Sequence, residues 1–316
     1  MKVLITDKMA EEALELLKKA GHDITYEEMD HNTLLNTIAD YDALMVRGRT
    51  KAISEIIKKG GQGHLKVIGR AGIGVDNIDL ATATEEDIKV VNAPTGATNS
   101  VAELAISHML MLSRHLAKAN NTMKNGEWAK KQLKGYELNG KTLGLIGTGN
   151  IGVLTGKLAR SFGMNIIGYD PFITSEDMKK QGITKIEKLE NLMAKSDYIS
   201  LHLPHMPQTH HIVNEKMIAL MKPTAFLINC ARGGTVDEKA LYTAIKNNKI
   251  AGAGLDVYET EPPKNNPLLT LDNVLLTPHI GANTFEGQTR AGTVCAEQIN
   301  MVLEGKIPDH WVNRPK

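Results

Sequence analysis

Aromatic residues make up only 4% of this 316-residue chain, too few for the stacking platforms that hold single-stranded bases. Charge of one sign is missing as well. The formal net charge of +1 gives no basic footprint for a nucleic-acid backbone or an anionic membrane surface. Cysteine is nearly absent, and Cys230 and Cys295 cannot build a disulfide framework, so a reducing compartment is expected. No long apolar run occurs. The longest nearly apolar stretch, Leu104 to Leu112, contains Ser107 and His108 and falls well short of a membrane span. The opening Met1-Lys2-Val3-Leu4-Ile5-Thr6-Asp7 is too short and too soon acidic for a signal peptide and reads as a strand. Low-complexity tracts and short-period repeats are lacking. What remains is a soluble cytoplasmic protein, long enough for two domains with their own cores, with neither nucleic acid nor membrane as partner.

Against those absences one stretch stands out. Leu143-Gly144-Leu145-Ile146 runs into Gly147-Thr148-Gly149-Asn150-Ile151-Gly152, a G-x-G-x-x-G pattern between an apolar strand and a helical repeat. Gly147 permits a tight turn, Gly149 lets backbone approach a pyrophosphate, and Gly152 lets helix pack on strand. The helix start, at Asn150 and Ile151, aims unpaired N–H groups and a positive dipole end at phosphate. A second strand, Asn165–Tyr169, ends at Asp170, eighteen residues past Gly152, close to the spacing of about 20 for an acid on the adenosine ribose. Pro171 and Phe172 follow it, so no adjacent cation receives a 2′-phosphate, and the carboxylate repels one. NAD is favoured over NADP. An ordinary βαβ unit with a capping acid is the plainer alternative.

The first hundred residues alternate strand and helix patterns: Val3–Ile5, an amphipathic Ala10–Ala20 closed by Gly21, Ala43–Val46, Ile53–Lys59 and Val67–Ile68. Such alternation predicts a parallel sheet covered by helices. Gly72-Ile73-Gly74 nears a dinucleotide pattern but runs into Asp76 and Asn77, so it reads as a loop whose amides suit a carboxylate. Turn residues from Pro94 to Ser100 form a hinge, and one long helix is expected from Val101 to about Lys118. Strands at Tyr198–Leu201, Ala225–Ile228, Gly252–Leu255 and Val274–Leu276 extend the second sheet, and a last helix from about Glu286 to Leu303 returns to the first domain. The expected division is residues 1–98 with 285–316 for substrate, and 99–284, inserted between them, for the dinucleotide.

Three polar clusters follow strands of the second half, where ligands gather in open α/β sheets. Asn229 through Gly234 carries Arg232, a planar fork for a carboxylate or polarised carbonyl. Leu255 through Pro263 carries Asp256 and Glu261, and Thr277 through Ala282 carries His279. A histidine beside a carboxylate favours the imidazolium form and can exchange protons with substrate. Singly these are an ion-pair partner, a solvated acid and a turn histidine. Together, after a dinucleotide site, they are what hydride transfer at an alcohol carbon requires. His205, His210 and His211 lack a clear further ligand set, so no metal is expected.

The sequence resembles the NAD-dependent D-2-hydroxyacid dehydrogenases over essentially its whole length. The resemblance rests on Gly69 through Asp79, Glu137 through Gly144, Asn229 through Gly234 with Val236-Asp237-Glu238, and Pro278 through Ala282. It implies two parallel-sheet α/β domains, Rossmann-like and flavodoxin-like, the dinucleotide domain inserted in the substrate domain. It implies Arg232 on the substrate carboxylate and carbonyl, His279 as proton donor and acceptor, and Glu261 holding that histidine charged. The backbone of Gly72, Ile73 and Gly74 would take the substrate carboxylate. Cofactor contacts carried over are Asn150, Ile151, Pro204, Thr209, Cys230, Ala231, Asp256 and Ala282. Arg47 and Arg70 match positions facing a substrate phosphate; two arginines on one dianion are worth a few kcal/mol. Arg47 and Arg49 as solvated surface charges are the alternative. A homodimer paired through the cofactor domain is expected, with Lys130, Lys131 and Lys134 near Trp128 at the surface. Longer relatives append regulatory domains, and none is expected after Lys316. Two further readings stay open: a dehydrogenase for an unphosphorylated 2-hydroxy acid, and a redox-sensing corepressor that binds NAD without turnover.

Overall fold

The computed structural model describes residues 1–315, which divide into two compact units, Met1–Thr98 with Ala282 onward and Asn99–Gly281. The first is built from β1 (Lys2–Ile5), α1 (Glu11–Lys19), β2 (Asp23–Tyr26), α2 (His31–Thr37), β3 (Ala43–Val46), α3 (Ser54–Gly61), β4 (Val67–Arg70), α4 (Leu80–Glu85) and β5 (Lys89–Asn92). Its sheet is wholly parallel in the order β2-β1-β3-β4-β5. Strand alternation sorts the apolar side chains into two cores, one on each face. Val3, Ile5, Met45, Val67 and Val91 lie in one, and Leu4, Leu44, Val46, Ile68 and Val90 in the other. The C-terminal helix packs in the first core through Cys295, Ala296 and Ile299. It comes close because Gly69 has no side chain: a Cβ there would lie 2.5 Å from Ile299.

The second unit contains α5 (Thr98–Ser113), α6 (Leu116–Lys124), β6 (Thr142–Ile146), α7 (Asn150–Ser161), β7 (Asn165–Tyr169), α8 (Ser175–Lys180), β8 (Thr184–Lys185), α9 (Leu189–Lys195), β9 (Tyr198–Leu201), α10 (Glu215–Ala219), β10 (Phe226–Asn229), α11 (Glu238–Lys246), β11 (Gly252–Leu255) and β12 (Val274–Leu276). Helix α12 (Phe285–Leu303) then closes the first unit. The seven strands are parallel in the order β12-β11-β10-β9-β6-β7-β8. Strand β6 lies between β7 and β9, so the order reverses where the glycine-rich turn leaves the sheet. That switch point is where open α/β sheets take ligands. The strand-end loops after β6, β9, β10, β11 and β12 hold most of the residues singled out for chemistry.

One element departs from expectation. The long helix predicted from Val101 to Lys118 is two helices, broken at His115, whose φ of 53° is left-handed. The cause is a returning segment that the sequence places more than 20 residues away. The Tyr136 N–H takes the Ser113 carbonyl at 2.8 Å, and a Cβ on Gly135 would lie 2.3 Å from that oxygen. His115 bonds the Lys134 carbonyl at 3.2 Å. With its carbonyls taken, the helix stops, and α6 beyond it buries none of its own residues.

Candidate active site

The turn after β6 has the form of a cradle. Gly147 takes φ 91° with its position against the His202 carbonyl, where a Cβ would come within 2.4 Å. Gly152 is packed likewise on the Gly147 carbonyl, at 2.3 Å from a Cβ. Gly149 differs: a Cβ there would meet nothing within 4 Å. It faces open space and caps α7 with no side chain competing for the first amides. Val153 N–H is bonded to the Gly149 carbonyl at 2.9 Å, so the amides of Asn150, Ile151 and Gly152 stand at the open helix end. The geometry fits a pyrophosphate. Asp170 closes β7 and braces this turn. Its Oδ2 accepts from the Thr148 N–H at 2.9 Å and its Oδ1 from the Phe172 N–H at 3.0 Å. The side chain is half-buried beside the turn.

Arg232 stands on a turn held from below. The buried Asn229 at the end of β10 donates to the Arg232 carbonyl at 3.0 Å and accepts from the Ala231 N–H at 3.1 Å. Gly233 packs on the Tyr258 carbonyl, where a Cβ would lie 1.8 Å away, so only glycine fits. Arg232 Nη1 bonds the Ala231 carbonyl at 2.7 Å.

Glu261 and His279 meet directly, with Glu261 Oε2 2.7 Å from His279 Nδ1. The acid also accepts from the Tyr258 N–H at 3.2 Å. Its loop is anchored to the start of α11 by a reciprocal pair: Glu259 N–H to Glu238 at 2.7 Å and Glu238 N–H to Glu259 at 3.1 Å. The side chains of His279 and Glu261 are 49% and 38% exposed, so this is an open pair and the ring keeps access to water. Both lie on loops past strand ends.

The His279 loop is organised by Asp256, which is wholly buried at the end of β11. Its Oδ1 accepts from the Thr277 hydroxyl at 2.6 Å and the Ile280 N–H at 2.8 Å, its Oδ2 from the Gly281 N–H at 2.8 Å. Its carbonyl takes the His279 N–H at 2.9 Å. Of the residues expected as cofactor contacts, the Asp256 side chain bonds this loop and Cys230 is buried with its sulfur 3.9 Å from His108. Tertiary packing turns both side chains into the sheet's end. Burial also pushes the Cys230 thiol up, which makes it a poor nucleophile. Of the other expected contacts, Thr209 closes its own loop, donating to the Pro204 carbonyl at 2.7 Å, and Ala282 opens the segment that returns to the first unit.

In the first unit a single acid that the sequence reading missed holds the Arg47 loop. Asp7 is 2% exposed and accepts from the Arg47 N–H at 2.6 Å and the Thr50 hydroxyl at 2.6 Å. Asn77 donates to the Arg47 and Thr50 carbonyls at 2.8 and 2.7 Å, tying this loop to the Gly72 loop. The Arg49 guanidinium is engaged with Asp7 at 3.3 Å and with the Thr6 carbonyl, a structural role. Arg47 is half-buried and reaches only the Lys8 carbonyl, at 3.4 Å, among the described residues. Arg70 folds over Gly72: a Cβ there would fall 1.5 Å from its guanidinium. Asn92 fixes the Ile73 carbonyl at 2.6 Å, while Gly72 N–H turns back to the Arg70 carbonyl at 2.8 Å. The Gly72 amide is thus taken up within its own turn. The missed signal was a polar residue at the end of an apolar strand, Asn92 closing β5 and Asp7 two residues past β1.

His205, His210 and His211 form a cluster: His205 Nε2 lies 3.1 Å from His210 Nδ1, and His211 bonds Glu259 at 3.0 Å. No group of three or more metal-ligating side chains suited to an ion is found among the described residues.

Two other histidines bear on stability. Burial lowers the pKa of His108 and brings that of His202 down to about 3. Burial thus favours the neutral form of each in the fold, while the unfolded form titrates near its ordinary value. Their contribution is thus complete above about pH 6.5 and is lost as pH falls, because the unfolded chain gains protons there. Chemical denaturation across pH 7.5 to 5 should show a falling free energy, and His108→Gln should reduce proton uptake on unfolding. An unchanged slope would refute the buried neutral state.

Residues 106–281 match the model of the D-isomer specific 2-hydroxyacid dehydrogenase NAD binding domain. Over its full length the chain is 50% identical to D-3-phosphoglycerate dehydrogenase of Methanocaldococcus jannaschii, spanning 60% of that protein. It is 47% identical to hydroxypyruvate reductase of Thermotoga maritima, with 94% of this chain and 97% of that one covered. The crystal structure of D-lactate dehydrogenase from Aquifex aeolicus complexed with NAD and lactic acid is similar with a TM-score of 0.88 at 30% identity, over 99% of this chain and all of that one. No helix among the described residues is long and apolar enough to cross a membrane.

Proposed function

The chain belongs to the D-isomer specific 2-hydroxyacid dehydrogenase family, and we propose that it interconverts 3-phospho-D-glycerate and 3-phosphooxypyruvate with NAD. The observation that carries the chemistry is the 2.7 Å contact of Glu261 with His279 beyond the ends of β11 and β12. When bound, NAD accepts the hydride from the substrate C2–H. His279 takes the hydroxyl proton as the C=O bond forms and returns it in reduction. Glu261 fixes the ring through Nδ1, leaving Nε2 for the substrate, and stabilises the imidazolium. Arg232 binds the carboxylate and the developing carbonyl. Gly147, Gly149, Asn150, Ile151 and Gly152 hold the pyrophosphate. Asp170 takes the adenosine ribose and disfavours a 2′-phosphate, with Pro204, Thr209 and the backbone of Ala231 as further contacts.

Phosphate recognition is assigned to Arg47 and Arg70, and carboxylate recognition to the amides of Ile73 and Gly74. Initial rates with NADH should favour 3-phosphooxypyruvate over hydroxypyruvate, pyruvate and glyoxylate, with NADPH a poor substitute. Arg47→Ala should raise KM for the phosphorylated substrate at least tenfold and leave hydroxypyruvate within twofold. Equal effects on both would remove the phosphate from the reading. The second reading, hydroxypyruvate reduction, draws on the Thermotoga relative; a preference for hydroxypyruvate in that panel establishes it. A homodimer is proposed from the second unit, where Trp128 is 78% exposed and α6 has no buried residue. Sedimentation at twice the monomer mass is the expected result.

A further inference from the structure

Behind the loop that carries His279 lies a buried histidine that the proposed chemistry does not use. His108 on α5 is 1% exposed, with Nε2 3.2 Å from the Thr277 hydroxyl oxygen. That hydroxyl lies 2.6 Å from Asp256 Oδ1, an acceptor-only partner, so its proton belongs to the carboxylate. The Thr277 oxygen is then the acceptor and His108 Nε2–H the donor. On its other side the ring lies against the Gly254 backbone, with which it hydrogen-bonds, and Nδ1 is 3.9 Å from the Cys230 sulfur. Room for the ring comes from Gly254 in β11, where a Cβ would lie 2.8 Å from Nδ1. Asp256 in turn takes the Ile280 and Gly281 amides, and its carbonyl takes the His279 amide. A continuous chain of hydrogen bonds thus runs from helix α5 to the backbone on both sides of His279.

We propose that His108 is a positioning residue which, through Thr277 and Asp256, fixes the Thr277–Gly281 loop and with it the ring of His279. The proposal rests on the reading of His279 as the proton-transfer group. His279 occupies a left-handed backbone conformation, φ 52°, which for a residue with a side chain persists only where surrounding bonds hold it. The Asp256 carboxylate supplies those bonds, and the neutral His108–Thr277 pair fixes which of its lone pairs point at the loop amides. A leucine at position 108 fills similar volume but removes the donor, freeing Thr277 to rotate. Glutamine keeps a donor at a comparable reach.

The test compares His108→Leu, His108→Gln and Thr277→Val in the full chain. In His108→Leu, kcat should fall about tenfold with KM for NADH within twofold, since loop misplacement acts on the reacting geometry. His108→Gln should recover most of the loss, and His108→Leu with Thr277→Val should be no worse than Thr277→Val alone. Amide hydrogen exchange supplies a readout that needs no substrate: the Ile280 and Gly281 amides should exchange at least tenfold faster in His108→Leu, with Leu227 in β10 unchanged. Unaltered exchange in folded His108→Leu, or in Thr277→Val should the former fail to fold, overturns the proposal, as does faster exchange with unaltered kcat. If the wild-type chain turns over no 2-oxo acid, the functional reading has failed, and the exchange result still decides whether His108 holds the loop.

Discussion

Replacing His279 with glutamine should lower kcat about a thousandfold, the usual scale for removal of a positioned acid–base group. Glutamine retains a hydrogen-bonding end of similar reach but cannot carry the hydroxyl proton away as the hydride leaves. NADH affinity, read by fluorescence titration, should stay within twofold, because no cofactor role is assigned to this side chain. Glu261→Gln should fall between wild type and that variant. It keeps an acceptor for Nδ1, 2.7 Å away in the native pair, yet loses the charge that favours imidazolium. A His279→Gln enzyme with kcat within tenfold of wild type would leave a nucleotide-binding protein with no assigned proton carrier.

The second large effect concerns Arg232. Exchange for lysine should reduce kcat/KM roughly a thousandfold, about 4 kcal/mol, the scale of two charge-assisted hydrogen bonds made by one planar fork. Lysine keeps the positive charge, so a small effect would mean that Arg232 acts as a point charge and not as a bidentate clamp. The turn that presents it is rigid: Asn229 is buried and bonded to both Ala231 and Arg232. Thermal unfolding within a few degrees of wild type is therefore expected, since the turn's bonds run through the Asn229 side chain and not through the guanidinium. A loss confined to KM would show that the residue binds the ground state and the transition state equally.

Much of the fold was legible because its signals are local. Apolar runs of three or four residues bounded by turn formers gave Tyr198–Leu201, Gly252–Leu255 and Val274–Leu276 with their observed bounds. The glycine spacing gave the turn at Gly147, since a positive φ and a close carbonyl admit no side chain. The break at His115 was not legible. The groups that end α5 come from Gly135 and Tyr136, and no helical periodicity reports a carbonyl taken from a distance.

The candidate site divides the same way. Residue type and position after a strand were enough to single out Arg232, Glu261 and His279, because hydride transfer needs a guanidinium, an acid and an imidazole. The sequence by itself thus determined the chemistry on offer and the parallel α/β architecture. Tertiary structure alone decided which polar groups face a ligand and which hold the loops. Asp256 and Cys230 turn inward, Asp7 organises the Arg47 loop, and His108 reaches Thr277 across 169 residues of sequence. The physical reason is that a buried polar group must find its partners wherever the packed elements bring them, and that pairing leaves no periodic trace along the chain.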